Sequence, residues 1–149
     1  MNIEPYIRKP FYYETDQMGV IHHSNYIRWF EEARVSFMEQ MGFGYDKMES
    51  EGIVSPVLSV ACEYKTMVRF GETVVIQPSL LTMTGARMIV SYQVTDLVTG
   101  ELRAFGETRH CFLNQSGRPV SLQKVLPDAF DKFRALLVAE IDPKGGADS

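Results

Sequence analysis

The segment YYETDQMGVIHHSNYIRWFEEAR, residues 12–34, changes character halfway along its length. Its first half is polar and contains acidic residues, Gly19 and the adjacent His22 and His23. Its second half repeats apolar residues every three or four positions, which is typical of an amphipathic helix. The segment therefore places Asp16 and a histidine pair on a loop directly before a helix. That arrangement is compatible with ordinary turn chemistry and with an active site.

The apolar spacing predicts a long helix over residues 25–41. The residues that carry this spacing are Tyr26, Ile27, Phe30, Ala33, Phe37, Met38 and Met41. Ser24 or Asn25 can cap the helix start, because a short polar side chain accepts a hydrogen bond from a free backbone N–H. Gly42 fits the left-handed conformation that often follows a helix end. The broad apolar face, which includes Trp29, predicts that the helix lies deep against a sheet.

The rest of the chain predicts strands on both sides of this helix. Residues 7–15 are rich in aromatics, and Pro10 within them indicates an edge position or a strand start. Four strand-like runs follow the helix, at residues 53–70, 72–84, 86–98 and 101–114. The links between these runs are short and contain glycine. They favour an antiparallel meander, because parallel strands need longer crossovers.

A second amphipathic helix is predicted over residues 123–141, with Pro127 in its first turn. Residues 142–149 are predicted to form a disordered tail. The order of elements predicts an α+β domain over residues 1–122, with the sheet covering the long helix and the C-terminal helix packed on the same domain. An open sheet of about five strands has edges that must be covered or paired, which edge-to-edge dimerisation would achieve.

Composition limits the classes of function. A chain of 149 residues with 45% hydrophobic residues predicts one domain with a substantial core. The net charge of −4 argues against general nucleic-acid binding. Cys62 and Cys111 lack the spacing of a metal knuckle or redox pair, which favours two reduced cysteines in buried strands. No apolar run approaches bilayer length and the N-terminus has no signal-peptide pattern. We therefore expect no membrane association and a cytoplasmic location.

The opening segment resembles the N-terminal motif of the hotdog-fold acyl-CoA thioesterases, in particular their 4-hydroxybenzoyl-CoA thioesterase-like branch. The matching residues are Tyr12, Glu14, Thr15, Asp16, Gly19, Val20, His23, Asn25, Tyr26, Glu31, Ala33 and Arg34. A weaker likeness extends through VRFGETVVI and GETRHCFLN further along the chain. The resemblance implies a hotdog fold, in which an antiparallel sheet of about five strands wraps around one long central helix.

The resemblance also implies that Asp16 is the catalytic carboxylate and that His23 orients substrate or water. On sequence alone, a turn in which Asp16 accepts backbone N–H groups would be the more common role. Thioester hydrolysis needs either a carboxylate nucleophile or a base that activates water, and both routes stay open. Gly19 and Val20 are expected to bring backbone close to the thioester, although a turn glycine alone would explain Gly19. By resemblance, the N–H donors for the developing oxyanion lie at residues 22–24, at the helix start.

Three further residues are expected to bind substrate. Tyr12 is predicted to pack in the sheet near the loop acid, with its hydroxyl in reach of the site. For Asn25, a role as helix cap is at least as well supported as substrate contact. The phosphates of coenzyme A need Arg or Lys at the pocket mouth, and Arg69, Arg87 and Arg109 are candidates. The resemblance favours Arg87.

The remaining charged residues of the segment are predicted to be structural. Adjacent histidines in an extended loop point in different directions, and no carboxylate–histidine spacing resembles a zinc motif, so no metal site is expected. His22 is predicted to point away from the site. A helix glutamate is the catalytic acid in another branch of the hotdog thioesterases. Because Asp16 is present here, we expect Glu31 and Glu32 to lie on a solvated helix face, with a Glu31–Arg34 pair.

Together these expectations describe hydrolysis of an acyl-CoA thioester to a carboxylic acid and free CoA. No cofactor is expected, because coenzyme A is part of the substrate. A homodimer or homotetramer is predicted, with pocket walls contributed by a neighbouring subunit. A non-catalytic acyl-CoA-binding module is the alternative outside enzymes, but it would be expected to lose Asp16. A hotdog dehydratase or hydratase is the other alternative, and TDQMGVIHHSNY does not resemble its signature.

Overall fold

A five-stranded antiparallel sheet wraps around one long helix, α1 (Ser24–Gln40), in the computed structural model, which describes residues 3–138. The strands are β1 (Tyr6–Arg8), β2 (Val57–Tyr64), β3 (Val74–Met83), β4 (Met88–Asp96) and β5 (Leu102–His110). The other helices are α2 (Tyr45–Ser50), α3 (Leu122–Val125) and α4 (Pro127–Arg134), and a 3-10 turn spans Tyr12–Glu14. This is the hotdog arrangement that the opening segment predicted.

The strand order in the sheet is β1-β3-β4-β5-β2. The predicted meander holds for β3, β4 and β5, but not for β2, which pairs with β5 at the outer edge. Residues 65–73 cross the ends of β4 and β5 before β3 begins, so the short link does not form a hairpin. The predicted strand over residues 53–70 accordingly ends early, at Tyr64, after which Lys65 N–H donates to Arg103 O at 2.8 Å.

The first predicted strand is shorter than expected, whereas the long helix agrees with its prediction within one residue at each end. Only Tyr6–Arg8 pairs with β3, and the prediction of a strand over residues 7–15 was wrong. Pro10 has no N–H for a ladder hydrogen bond, and the chain then bends into the 3-10 turn. At the other end of α1, Gly42 has the predicted positive φ, at +85°.

The core lies between α1 and the concave face of the sheet. Alternate residues of β4 are buried against the helix, as the period of a strand requires. The ring of Phe30 stacks on Tyr92 with centroids 4.4 Å apart, a contact worth about 0.5–1.5 kcal/mol beyond its buried area. A Cβ at Gly106 would lie 2.8 Å from the Phe30 ring, so glycine is what lets β5 approach the helix this closely. Cys111 is buried just after β5, but Cys62 on β2 is only half-buried.

The C-terminal region forms two short helices where one was predicted over residues 123–141. The break falls at Leu126, because the residue before a proline is disfavoured in helical conformation, and Pro127 starts α4 as predicted. The predicted tail, residues 142–149, lies outside the described residues. Within residues 3–138, no helix is long and apolar enough to cross a membrane.

Candidate active site

The loop before α1 lines a cavity of about 590 Å³, which is within the usual range for small-molecule sites. Asp16, Ile21 and His23 come from the loop, and Tyr64 and Arg69 come from the end of β2 and the segment after it. The other lining residues are Tyr26, Lys65, Thr66, Met67 and Arg103. The two predicted catalytic residues, Asp16 and His23, thus line one cavity.

The Asp16 carboxylate is held by one oxygen. Its Oδ1 accepts hydrogen bonds from Met18 N at 2.8 Å and from Val20 N at 3.4 Å. These are the turn hydrogen bonds that the sequence allowed as an alternative role for Asp16. Within residues 3–138, its Oδ2 accepts no hydrogen bond from the protein. One carboxylate oxygen therefore fixes the side chain, and the other is available for chemistry.

Backbone pairing fixes the loop on both sides of this acid. Asp16 N–H donates to Val20 O at 2.8 Å, and Gly19 between them has a φ of +78°, which favours glycine. Ile21 N–H donates to Val68 O at 2.8 Å, which joins the loop to the segment after β2. Gly19 and Val20 do not themselves line the cavity, since Val20 is buried and Gly19 lies at the exposed tip of the turn.

The start of α1 is capped by a residue that was not predicted to cap it. The Nδ1 atom of His22 lies 3.2 Å from Ser24 N, which donates to it, and 2.9 Å from Ser24 Oγ. Among residues 3–138, the side chains of Ser24 and Asn25 accept no hydrogen bond from a backbone N–H at the helix start. The His22 ring also stacks on His23, with centroids 4.2 Å apart. Among the described residues, the backbone N–H of His23 has no acceptor, so it remains a free donor at the positive end of the helix.

Asn25 is placed for packing, since it is 5% exposed and does not line the cavity. Its side-chain amide donates to Glu14 O at 3.0 Å and to His22 O at 3.2 Å, while its Oδ1 accepts from Arg28 at 3.2 Å. These contacts use its hydrogen-bonding groups on the protein itself. The structure therefore favours the packing role over the predicted substrate contact.

Two tyrosines, Tyr26 and Tyr64, also line the cavity, and sequence reasoning did not consider Tyr64 as a site residue. The rings of Tyr26 and Tyr64 meet edge to face at 5.0 Å, and the Tyr64 hydroxyl donates to His23 O at 3.0 Å. Burial, followed by a hydrogen bond with Cys62, raises the pKa of Tyr64 to about 12, so its hydroxyl stays protonated at neutral pH. No local pattern marks Tyr64, because only the β2–β5 pairing brings it to α1.

The positive charge at the cavity comes from Lys65, Arg69 and Arg103, of which only Arg69 was a candidate. Arg103 is buried and already paired, at 3.2 Å from Asp96 and 3.3 Å from Glu72. In contrast, the Arg69 side chain makes no ion pair within the described residues.

The favoured phosphate ligand, Arg87, is not brought to this cavity within one chain. It is exposed in the β3–β4 turn, next to Met88, which pairs with His110. Tyr64 pairs with Ala104, at the opposite end of β5. The two sites are therefore about 20 Å apart along the strand. Arg109 lies near the Arg87 end and pairs with Glu107 at 2.9 Å.

Tyr12 and the helix glutamates lie away from the cavity wall. Tyr12 is 75% exposed and meets Phe70 edge to face at 5.4 Å, so the prediction that it packs in the sheet was wrong. The predicted Glu31–Arg34 pair exists at 3.9 Å, but Arg34 is buried, not solvated. Glu32 pairs with Arg8 at 2.8 Å.

No group of three or more metal-binding side chains is present among residues 3–138. The residues that line the cavity offer a carboxylate, an imidazole, phenol hydroxyls and cationic side chains.

Comparison with known proteins gives consistent results. The family model of the thioesterase-like superfamily matches residues 12–135. A putative acyl-CoA thioesterase of Bacillus subtilis is 34% identical over 127 residues, which cover 83% of this chain and 91% of that protein. The DHNA-CoA thioesterase of Staphylococcus aureus superposes with a TM-score of 0.82 at 33% identity, covering 89% of this chain and 91% of that one. A hypothetical protein of Thermus thermophilus superposes with a TM-score of 0.83 at 32% identity, covering 89% of this chain and 98% of that one.

Proposed function

The chain belongs to the thioesterase-like superfamily, and we propose that it hydrolyses an acyl-CoA thioester to a carboxylic acid and free CoA. The observation that supports this most directly is the pairing of Asp16 with the start of α1. Asp16, which has one free carboxylate oxygen, and His23, which has a free backbone N–H, line the same cavity. These are the two groups that thioester hydrolysis requires.

In the proposed reaction the thioester carbonyl oxygen accepts a hydrogen bond from the backbone N–H of His23. The N-terminal dipole of α1 adds positive potential at that point, where negative charge develops in the transition state. A donor of this kind typically contributes about 3 kcal/mol to catalysis. Asp16 then acts through Oδ2, either by attacking the carbonyl carbon or by taking a proton from an attacking water. In both routes the C–S bond breaks as the tetrahedral intermediate collapses, and CoA leaves as a thiolate, which takes up a proton from Asp16 in the water route and from solvent in the other. In the nucleophilic route a water then hydrolyses the Asp16 anhydride, which releases the acid and restores the carboxylate.

The neighbouring side chains support the same geometry. The Tyr64 hydroxyl holds the carbonyl of His23, which fixes the plane of the peptide on the C-terminal side of that residue. The His23 imidazole lines the cavity and is proposed to orient substrate or water there. The free Arg69 and the neighbouring Lys65 are proposed to meet the phosphates of coenzyme A, in the place predicted for Arg87.

A second copy of the chain is proposed to complete the site. Strand β2 forms the outer edge of the sheet, and its apolar residues Val57, Leu58 and Val60 are 46%, 51% and 40% exposed. An exposed apolar edge strand is a template for pairing with another strand, and a two-fold pairing of β2 with itself gives a closed dimer. Because the cavity lies at the end of β2, such a partner would extend its wall, in a homodimer or homotetramer. Size-exclusion chromatography with light scattering tests this, and a monomer at working concentration would contradict it.

The function itself is tested by incubating the purified protein with a panel of aliphatic and aromatic acyl-CoAs and trapping the released thiol. We expect release with at least one substrate, and loss of release in Asp16→Asn. An acyl-CoA-binding module would bind members of the same panel in a titration without releasing thiol. That result would replace hydrolysis with binding as the function of the cavity.

A further inference from the structure

A buried carboxylate lies directly beneath the loop that carries Asp16. Glu14, on the 3-10 turn, is 3% exposed. Its Oε1 accepts from Phe11 N at 2.7 Å and from Arg8 Nη1 at 3.0 Å. Its Oε2 accepts from Arg8 Nη2 at 3.0 Å and from Trp29 Nε1 at 3.2 Å. The side chain therefore ties the turn both to β1 and to the first half of α1.

The backbone carbonyl of the same residue holds the other side of the loop. Glu14 O accepts from His22 N at 2.9 Å and from the Asn25 side chain at 3.0 Å. Glu14 precedes Asp16 by two residues, and His22 directly precedes the free N–H of His23. One residue thus fixes both the loop segment that presents the acid and the helix start that presents the amide.

Stability alone does not explain a carboxylate at this position. A buried ion pair is often no more stabilising than apolar residues of similar volume, because both charges must leave water. The pair adds a fixed geometry here, since four donor atoms from three residues hold both oxygens of the Glu14 carboxylate. Catalysis depends on such geometry, because a displacement of about 1 Å between reacting groups can lower a rate about 100-fold.

We infer that Glu14 is a positioning residue for the proposed hydrolysis, which sets the separation between the Asp16 carboxylate and the His23 amide. This inference rests on the proposed function. Glu14 does not line the cavity, so its effect passes through the backbone of the loop. Its removal should therefore lower kcat with little change in KM.

Glu14→Gln tests this with nearly unchanged side-chain volume. The fold should survive the change, because Arg8 keeps its second carboxylate partner, Glu32, at 2.8 Å. We expect kcat to fall about 10- to 100-fold and KM to stay within about threefold. The matched control is Glu32→Gln, which removes the other partner of Arg8 but has no contact with the loop, and it should keep kcat within about twofold.

A second variant covers the case in which Glu14→Gln unfolds. Glu14→Asp keeps the negative charge in the buried cluster but is one methylene too short to keep all four donors. It should fold and show a smaller fall in kcat, of about fivefold or more, again without a matching rise in KM. Near-ultraviolet circular dichroism and a denaturation midpoint report the folded fraction, so that kcat refers to native protein.

The outcomes separate this inference from the proposed function. If neither wild type nor Glu32→Gln releases thiol from any acyl-CoA, the proposed function fails. If wild type is active but folded Glu14→Gln or Glu14→Asp keeps kcat within twofold, Glu14 does not position the site. Equal losses in Glu14→Gln and Glu32→Gln would also overturn the inference, because they would indicate a general contribution of the ion cluster.

Discussion

Two polar clusters lie along α1, each built around a buried charged side chain, and they differ in which parts of the fold they join. The Glu14 cluster consists of Arg8, Glu14, Trp29 and Glu32, pairs opposite charges, and joins the loop to the first half of the helix. The Arg34 cluster consists of Arg34, Tyr45, Tyr92, Thr108 and His110, and joins the helix to the sheet. The first contacts the residues that present Asp16, whereas the second contacts nothing in the loop. The difference predicts that Glu14, in the first cluster, acts on turnover and that the second cluster acts on stability.

The Arg34 cluster has an unusual charge balance. Its arginine is 4% exposed and donates to Tyr45 OH at 2.7 Å and to Tyr92 OH at 2.9 Å. Its acidic neighbour among the described residues, Glu31, is 3.9 Å away and mostly exposed. The hydroxyl groups of Tyr45 and Tyr92 therefore replace most of the water that would otherwise solvate this charge. Each hydroxyl should be costly to remove, because a buried donor left unpaired loses its full solvation.

The largest fall in kcat is expected from substitution of Asp16, within the loop. In Asp16→Asn the side-chain oxygen can still accept the turn hydrogen bonds from Met18 and Val20, so the loop should keep its shape. The negative charge is lost, and kcat should fall about 100-fold or more, while the free energy of unfolding changes by about 0.5 kcal/mol or less. Steady-state thiol release and urea denaturation measure both quantities. Full activity in Asp16→Asn would remove Asp16 from the mechanism.

The opposite pattern is expected in the Arg34 cluster, for Tyr92→Phe. The ring stack on Phe30 is kept, but Arg34 and Thr108 lose the hydroxyl that lies 2.9 Å and 2.7 Å from them. The free energy of unfolding should fall by about 1–3 kcal/mol, with kcat/KM of the folded protein unchanged.

Tyr64→Phe is the matched variant on the loop side, where the lost hydroxyl donates to His23 O. Tyr64→Phe should lower kcat several-fold at nearly constant stability, and identical behaviour of the two variants would remove the distinction between the loop and the Arg34 cluster.

A pH change should act on the Arg34 cluster through His110, which is fully buried. Burial, with a smaller contribution from the positive charge of Arg34, lowers the pKa of His110 from 6.5 to about 4. Because the folded state disfavours the charged imidazole, this stability is present above pH 6.5 and is lost as the pH falls towards 4. Between pH 7 and pH 5 the loss should be about 2 kcal/mol.

Urea denaturation at both pH values measures that loss. Carboxylates also begin to titrate near the lower value, so the informative quantity is the difference between wild type and His110→Gln. The variant should show a loss smaller by about 2 kcal/mol. An equal loss in both proteins would exclude His110 as the cause.

Sequence reasoning succeeded where the signal is local. The period of apolar residues located α1 within one residue at each end, and the segment around Asp16 identified the fold and the loop. Sequence reasoning failed where the position of an element depends on residues that are distant along the chain. The placement of β2 beside β5 is set by pairing across 40 or so residues of chain, and it decides that Tyr64 and Arg69 face the loop while Arg87 does not. Arg34 was predicted to lie on a solvated face. The spacing of residues along a helix does not show which polar side chain will be hydrogen-bonded to buried hydroxyl groups of the sheet and of α2.

The smallest effect is expected where the loop region meets the cavity mouth, at Arg69. If this guanidinium meets the phosphates of coenzyme A, Arg69→Gln should raise KM for an acyl-CoA about fivefold, which corresponds to about 1 kcal/mol for an exposed charge contact. KM for the matching N-acetylcysteamine thioester, which has no phosphates, should not change. Arg87→Gln is the control from the far end of the sheet, and it should leave both values unchanged in a site built from this chain alone. A rise in KM with Arg87→Gln and none with Arg69→Gln would place a neighbouring subunit's β3–β4 turn at the cavity mouth, because within one chain that turn lies about 20 Å away along the strand.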